Sequence, residues 1–374
     1  MPQSPLETAM PVGLDHFKDK QKEALAGWLM ASPAILLLLT FLILPFLFAF
    51  YFSFTNQRLI SPNPTEWVGL RNFSRLLTVR TFSLEPVADP TTGELVRDEK
   101  GAFSYPSLRN YTRNNPDYPH LDGLREWRSW NWGNKRVYLL ASDVVFMKSL
   151  ANTLLFVLIV APLQAGLALI LAILINQPLR GINVFRTIYF MPVVISMVVI
   201  ALLWRFIYDG NNGLLNSLLS LITFGAFEPI DWLGNPNTAM GALIAMSIWQ
   251  AVGFHMVIWL SGLQTIPSVL YEAASVEGAN QRQQFRFITW PGLRNTAVLI
   301  LIVITIQAFG LFTQINVMTR GGPLDSTQSI VFQAFIRGFE KQDIAGGSAI
   351  SVLLFIIVLV VSLVQRYLTR ERRL

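Results

Sequence analysis

Residues suited to acid–base, nucleophilic or metal chemistry are few and far apart in this sequence. It has 374 residues and no cysteine, which excludes a thiolate nucleophile, a disulfide and a cysteine-ligated metal. The three histidines, His16, His120 and His255, lie in three different regions of the chain. No Gly-Lys pair occurs, so the phosphate-binding pattern G-x-x-x-x-G-K-[ST] is absent. The sequence therefore predicts no enzyme active site, no metal site and no cofactor bound by this chain.

A more informative pattern lies between residues 264 and 292, where helix-start and helix-stop signals alternate. Pro267 suits the first turn of a helix, and Gly278 is placed to end that helix with a positive φ. Asn280 is a suitable cap for a second helix, which we expect to end before Pro291 because the residue preceding a proline avoids the α region. The pattern predicts a helical hairpin that presents Glu272 to a partner. An ordinary amphipathic loop is the alternative.

The segments that flank this hairpin are strongly apolar. The chain is 52% hydrophobic and 14% charged, against about 25% charged in an average soluble domain. Crossing the hydrocarbon core takes about 20 apolar residues in a helix. Six segments qualify as membrane spans, and they cover residues 28–54, 150–175, 187–204, 238–263, 295–319 and 344–365. The apolar stretch 214–224 is too short to cross, and we expect it to form an interfacial helix.

The distribution of Lys and Arg predicts the orientation of these spans. Cytoplasmic loops of membrane proteins carry an excess of basic residues. With residues 1–27 as a cytoplasmic tail, the basic residues on the cytoplasmic side are Lys18, Lys20, Lys22, Arg180, Arg186, Arg282, Arg286, Arg294, Arg366, Arg370, Arg372 and Arg373. The short loops on the other side contain only Arg205, Arg320, Arg337 and Lys341. Both termini are therefore predicted to be cytoplasmic, and the net charge of +6 does not indicate a nucleic-acid partner.

The long polar segment 55–149, called the insertion below, separates the first two spans. It is rich in Trp and Tyr, whereas disordered segments are poor in aromatic residues. Turn residues at 89–93 and 98–101 flank two stretches, 94–97 and 102–105, that suit a short hairpin. We expect a small folded cap outside the membrane. A mobile loop with aromatic side chains at the lipid interface is the alternative.

The predicted spans contain no residues of the kind that couple transport to an ion gradient. Carriers coupled to protons or sodium usually keep a carboxylate or a broken-helix ion site in the membrane, and none of the six segments contains Asp or Glu. Without a phosphate-binding loop the chain does not hydrolyse ATP by itself. Two classes remain: a stand-alone channel or carrier, and a membrane subunit driven by a partner.

The motif within the 264–292 hairpin favours the second class. Glu272-Ala273-Ala274, three residues, Gly278, nine residues and Ile288, followed by Pro291, resembles the EAA loop of binding-protein-dependent ABC importer permeases. The similarity extends to the carbohydrate-uptake branch, of the maltose-permease type. The residues that carry this narrower similarity are Asn152-Thr153, Phe185-Arg186, Pro192, Leu263-Gln264, Ile266-Pro267, Thr319 and Gly321-Gly322-Pro323.

The resemblance implies a fold and a set of partners. The fold is an all-α integral membrane protein, with the six transmembrane helices of a type I ABC importer permease and a small extracytoplasmic insertion between helices 1 and 2. Residues 150–374 would form the permease core in a bacterial inner membrane. The expected partners are a second homologous permease, two copies of a cytoplasmic ATPase that bind ATP and Mg²⁺, and a periplasmic solute-binding protein. The residues expected to couple to the ATPase are Glu272, Ala273, Ala274, Gly278 and Pro291.

Polar and aromatic side chains within the fourth and fifth spans are candidates for a substrate path. Polar groups inside a membrane usually face the bundle interior, and sugars require hydrogen-bonding groups beside aromatic faces. The candidates are Ser247, Gln250, Phe254, His255, Thr305, Gln307, Leu311 and Gln314. The alternative is that these groups only bond neighbouring helices, and for His255 a satisfied interior histidine is the expected case. A sugar is the predicted substrate, with a polyol or glycerol-phosphate compound as the alternative.

Overall fold

The chain is mostly helical in the computed structural model, which describes residues 13–89, 94–97, 101–177 and 180–369. The helices before and within the insertion are α1 (Gly13–Leu38), α2 (Leu44–Phe52), α3 (Arg71–Leu77) and α4 (Arg109–Thr112). Those that follow it are α5 (Val144–Ile175), α6 (Ile182–Val194), α7 (Met197–Ile207), α8 (Leu214–Ile222), α9 (Ala239–Gln264), α10 (Ser268–Val276), α11 (Gln281–Gln284), α12 (Trp290–Gly292), α13 (Arg294–Phe309), α14 (Thr313–Met318), α15 (Ile330–Phe335) and α16 (Ile344–Thr369). One turn of π-helix, Leu39–Ile43, joins α1 to α2.

Five helical segments among the described residues are long and apolar enough to cross a membrane. They are Lys22–Phe52, Val144–Ile175, Ala239–Gln264, Arg294–Met318 and Ile344–Leu368. A sixth candidate is the pair α6 and α7, if the two helices together form one span. These segments coincide with the six stretches predicted from hydropathy, although α5 begins six residues before position 150.

The predicted span 187–204 differs most from the structure, because it is not one continuous helix. The axes of α6 and α7 meet at 98°, and both linking residues, Ile195 and Ser196, have extended backbone angles. Pro192 lies in the last turn of α6, where it lacks the N–H that would extend the hydrogen-bond ladder. Hydropathy alone registers the apolar side chains on both sides of the break and does not detect the bend.

The core of the membrane region is built on α5 and α9, which pack along most of their lengths. Fully or nearly fully buried alanines on α5, Ala165, Ala168 and Ala172, let the neighbouring helices approach closely. At Gly253 of α9 the backbone of α6 comes so near that an added Cβ would overlap the carbonyl oxygen of Tyr189. Helix α13 packs on both of these helices, and α16 packs on α13.

The insertion contains β-structure beyond the short hairpin that its sequence predicts. Strands β1 (Val79–Leu84), β2 (Arg125–Trp132) and β3 (Lys135–Ala141) form an antiparallel sheet in the order β1-β3-β2. Strands β2 and β3 are joined by the two-residue sequence Gly133-Asn134, a hairpin signal present in the sequence. The β2–β3 hairpin therefore follows from local turn chemistry, whereas the pairing of β1 with β3 joins segments distant in the sequence.

A small apolar core stabilises this unit. It comprises Leu84, Leu121, Leu124, Tyr138 and Leu140, which are all buried. The predicted hairpin of 94–97 with 102–105 is confirmed by the antiparallel bridge between Arg97 and Phe103, while parts of its turns lie outside the described residues. The described residues of the insertion thus contain a sheet with its own apolar core, and a cap outside the membrane stays a prediction.

Arg337 links the insertion end of α5 to the start of α16. Its guanidinium donates through Nη1 to Asp143 Oδ2 over 2.6 Å and through Nε to Asp343 Oδ2 over 2.9 Å. The second oxygen of Asp143 accepts from the backbone N–H of Phe146, and that of Asp343 accepts from Gly346. Each carboxylate thus caps the first turn of a long helix while it shares one nearly buried arginine.

Candidate functional site

The hairpin of residues 264–292 has the helix-turn-helix geometry that its sequence predicts. Helix α10 ends at Val276, and Gly278 has a φ of +81°, which a glycine adopts without the steric penalty of a side chain. Asn280 then caps α11: its side chain accepts from the Gln283 N–H, and the Gln283 side chain accepts from the Asn280 N–H. The two arms are held together by hydrogen bonds between Gln284 and Ser275 and between Tyr271 and Thr289, both of 3.0 Å.

The prediction that the second helix ends before Pro291 is wrong. After α11 the chain continues through a π-helical turn, Phe285–Thr289, directly into α12, which contains Pro291. The wider π turn places the Trp290 N–H on the Phe285 carbonyl, and Pro291 occupies a first-turn position where its missing N–H leaves no bond unmade. Pro291 thus lies inside the second arm of the hairpin and not after it.

The two arms of the hairpin expose both a charge and apolar side chains. Glu272 is exposed and forms no ion pair within the described ranges of the chain. Its neighbour Ala273 is also exposed, and so are the apolar side chains of Val276 and Phe287, at 90% and 69%. Exposed apolar side chains grouped around an unpaired carboxylate are typical of a protein-binding surface.

A cavity of about 400 Å³ opens between α5, α6, α7, α9, α13 and α14, and we call it the central cavity. The sequence-predicted residues that line it are Ser247, Gln250, Phe254, Gln307, Leu311 and Gln314. The break between α13 and α14, at Gly310–Phe312, brings Leu311 and Gln314 to its wall. Six candidates from two separate spans therefore meet in one place.

The other two candidates, His255 and Thr305, do not line the central cavity. Both are fully buried. Thr305 Oγ1 accepts a hydrogen bond of 2.8 Å from Gln365 Nε2, which ties α13 to α16. His255 Nδ1 lies 2.8 Å from Gln164 Nε2 and 2.9 Å from the Ala251 carbonyl oxygen. Each residue thus links helices in the wall behind the cavity.

Gln164 of α5 lines the central cavity and was not among the predicted residues. Its sequence signal is a single polar side chain between two long apolar stretches of the second span. The sequence does not predict the contact between Gln164 and His255. Four of the side chains that line the central cavity carry amides, namely Gln164, Gln250, Gln307 and Gln314. The ring of Phe254 lines the same cavity.

The chemistry of this wall suits an uncharged, hydroxyl-bearing molecule. Amides donate and accept hydrogen bonds, and the hydroxyl oxygen of Ser247 has no partner among the described residues although it is buried. The described lining of the central cavity contains no Asp, Glu, Lys, Arg or His. A strongly charged ligand would find no counter-ion there.

Comparisons with known proteins agree with this architecture. Residues 141–374 match the family described as "Binding-protein-dependent transport system inner membrane component". The chain is 30% identical over 356 residues to the trehalose/maltose transport system permease protein MalF of Thermococcus litoralis, covering 95% of this chain and 97% of the relative. It is also 30% identical to the probable ABC transporter permease protein YesP of Bacillus subtilis, over 94% of each chain.

The fold has a counterpart among solved structures. A chain of a bacterial ABC transporter involved in the import of the acidic polysaccharide alginate superimposes with a TM-score of 0.68, at 19% identity, over 96% of this chain and all of that one. The matched family consists of multi-pass transport subunits of the inner membrane and not of enzymes. The chain belongs to the family of binding-protein-dependent transport system inner membrane components, the permease subunits of ABC importers.

Proposed function

We propose that this permease subunit carries a neutral sugar through the central cavity. The observation that carries the proposal is the wall of that cavity, where four amides and an unpartnered hydroxyl lie beside an aromatic ring with no charged group among them. The name of the Thermococcus litoralis relative, a trehalose/maltose permease, supports the same substrate class. A glycerol-phosphate compound is less favoured because phosphate recognition generally uses Arg or Lys.

The 264–292 hairpin is proposed to receive the force for transport. We place both termini and this hairpin in the cytoplasm, where Glu272 pairs with a basic group of an ATPase subunit and Ala273, Ala274, Gly278 and Pro291 shape the contact. Two ATPase copies hold ATP and Mg²⁺, a second homologous permease completes the pore, and a periplasmic binding protein delivers the sugar. The hairpin arms are tied together, so ATPase closure moves them as a unit and shifts the attached α9 and α13 as rigid bodies.

Filling the central cavity tests where the substrate passes. Gln250 is half-buried and lines the cavity, so Gln250→Trp directs an indole ring into the path. ATP-driven uptake by the complete reconstituted assembly is expected to fall at least about tenfold, equivalent to about 1.4 kcal/mol of barrier. Leu158→Trp, on the exposed face of α5 at 74% exposure, is the matched control and should retain uptake.

The same assembly distinguishes the candidate substrates. Labelled maltose, trehalose, a polyol and glycerol-3-phosphate are offered in turn with the cognate binding protein and ATP inside the vesicles. Uptake of a neutral sugar that requires ATP is the expected result. Uptake of glycerol-3-phosphate alone would replace the proposed substrate, and ATP-independent uptake by the isolated chain would indicate a stand-alone channel or carrier.

A further inference from the structure

Gln164 of α5, which lines the central cavity, contacts the buried ring of His255 on α9. We propose that His255 is a positioning residue, which holds the Gln164 amide so that one of its polar atoms stays available to the substrate. This inference rests on the proposed function, because it assigns roles to two residues at the same cavity.

Gln164 is engaged at one end only. It is 3% exposed, and it lines the central cavity from α5. Its Nε2 lies 2.8 Å from His255 Nδ1 on α9, whereas its Oε1 has no hydrogen-bond partner within residues that the structure describes. This oxygen is not one of the enclosed side-chain atoms that lack a partner among the described residues, so it is open to the central cavity. A substrate hydroxyl group in the cavity donates to it.

Among the described residues, the contact with Gln164 is the one that gives a reason for a polar ring at position 255. The His255 ring is fully buried, and its Nε2 has no hydrogen-bond partner there. When Nδ1 accepts from the Gln164 amide, it has no proton to donate to the nearby Ala251 carbonyl oxygen, one turn earlier in the same helix. Leaving a buried polar atom without a partner is unfavourable, so an apolar side chain would serve packing alone better. The one polar contact from this ring to another helix is the contact with Gln164.

Holding Gln164 in place has a direct consequence for binding. A glutamine side chain loses considerable rotational freedom when it is fixed, and a binding group that is already ordered does not lose that freedom again when the substrate arrives. Ser247, which is also buried and lacks a partner, lines the same cavity from α9. Together the Gln164 amide and the Ser247 hydroxyl offer hydrogen bonds to a neutral polyhydroxylated molecule.

The test measures sugar molecules imported per ATP hydrolysed by the complete assembly, with saturating binding protein loaded with maltose or trehalose. Saturation removes the effect of capture by the binding protein, and poor assembly lowers uptake and hydrolysis together without changing their ratio. Gln164→Leu and His255→Leu are each expected to lower this ratio about three- to tenfold, the loss of one uncharged hydrogen bond.

Two further variants separate positioning from packing. His255→Asn puts an amide near the place of Nδ1 and should keep the ratio within about twofold of the wild type. The double variant Gln164→Leu/His255→Leu should be no worse than Gln164→Leu alone, because residues that act as one unit are not additive. Trp259→Phe is the matched control: it removes the 3.0 Å hydrogen bond from Trp259 Nε1 to the Ala165 carbonyl, between the same two helices, and should leave the ratio unchanged.

A normal ratio in His255→Leu, additive losses in the double variant, or an equal loss in Trp259→Phe would each overturn the inference while the wild type still imports sugar. A wild-type assembly that hydrolyses ATP but imports no neutral compound would instead overturn the proposed function, and the positioning role with it.

Discussion

Glu272→Ala is expected to lower the ATP hydrolysis that loaded binding protein stimulates in the assembled transporter by at least about tenfold. Glu272 is exposed on α10 of the 264–292 hairpin and has no ion-pair partner within the described part of this chain, so its carboxylate is free for a cation on another subunit. Hydrogen bonds to charged groups contribute about 1.5–3 kcal/mol, and truncating one partner leaves the other charge unpaired at the interface. Stimulated hydrolysis is measured with purified assemblies in lipid vesicles.

Glu277→Ala is the matched control for that result. Glu277 follows α10 on the same hairpin, is also exposed, and carries the same charge, but it lies beyond the helix that contains Glu272. Stimulation should stay within about twofold of the wild type. If both variants lost the same amount of stimulated ATP hydrolysis, the net charge of the hairpin would explain the result, and Glu272 would have no specific role. Normal stimulation in Glu272→Ala would contradict the coupling role.

Arg337→Met is expected to cause the largest loss of stability of any single substitution considered. The Arg337 side chain is 9% exposed, and it lies between Asp143 and Asp343, whose side chains are 17% and 22% exposed. Removing one partner of a buried ion pair costs about 3–5 kcal/mol because the remaining charge is left without compensation. Here two carboxylates would remain, each capping a long helix. Thermal aggregation of the detergent-solubilised chain, followed by size-exclusion chromatography, reports the loss.

Lys148→Met provides the comparison for Arg337. Lys148 pairs with Asp325 over 3.2 Å, but both side chains are 36% exposed. Solvent-exposed ion pairs contribute about 0–1 kcal/mol, so this variant should resemble the wild type. If both substitutions had the same small effect, the pair of carboxylates around Arg337 would not be what holds α5 and α16 in register.

The elements that could be predicted are those set by local sequence. Long apolar runs located the membrane helices, and the spacing of Gly278 and Asn280 predicted the turn of the hairpin, which the structure confirms with a positive φ and a reciprocal cap. The β2–β3 hairpin of the insertion is equally local, since Gly133-Asn134 joins its two strands, but the pairing of β1 with β3 is not.

The features that could not be predicted depend on distant residues. The 98° bend between α6 and α7 leaves an apolar run unchanged, so hydropathy does not detect it. Gln164 and His255 are 91 positions apart in sequence, and only the packing of α5 on α9 brings them together. The packing of α13 on its neighbours decides that Gln307 lines the central cavity whereas Thr305, two residues earlier, bonds to α16.

Labelling of a single cysteine on the hairpin tests the central claim most directly. The chain has no cysteine of its own, and Val276 is 90% exposed at the end of α10, so V276C introduces one accessible thiol. In inside-out vesicles from cells that lack the ATPase subunit, a membrane-impermeant maleimide should label V276C, and restoring the ATPase should protect it. In intact spheroplasts the thiol should not react. Labelling from the outer side, or equal labelling with and without the ATPase, would contradict the account.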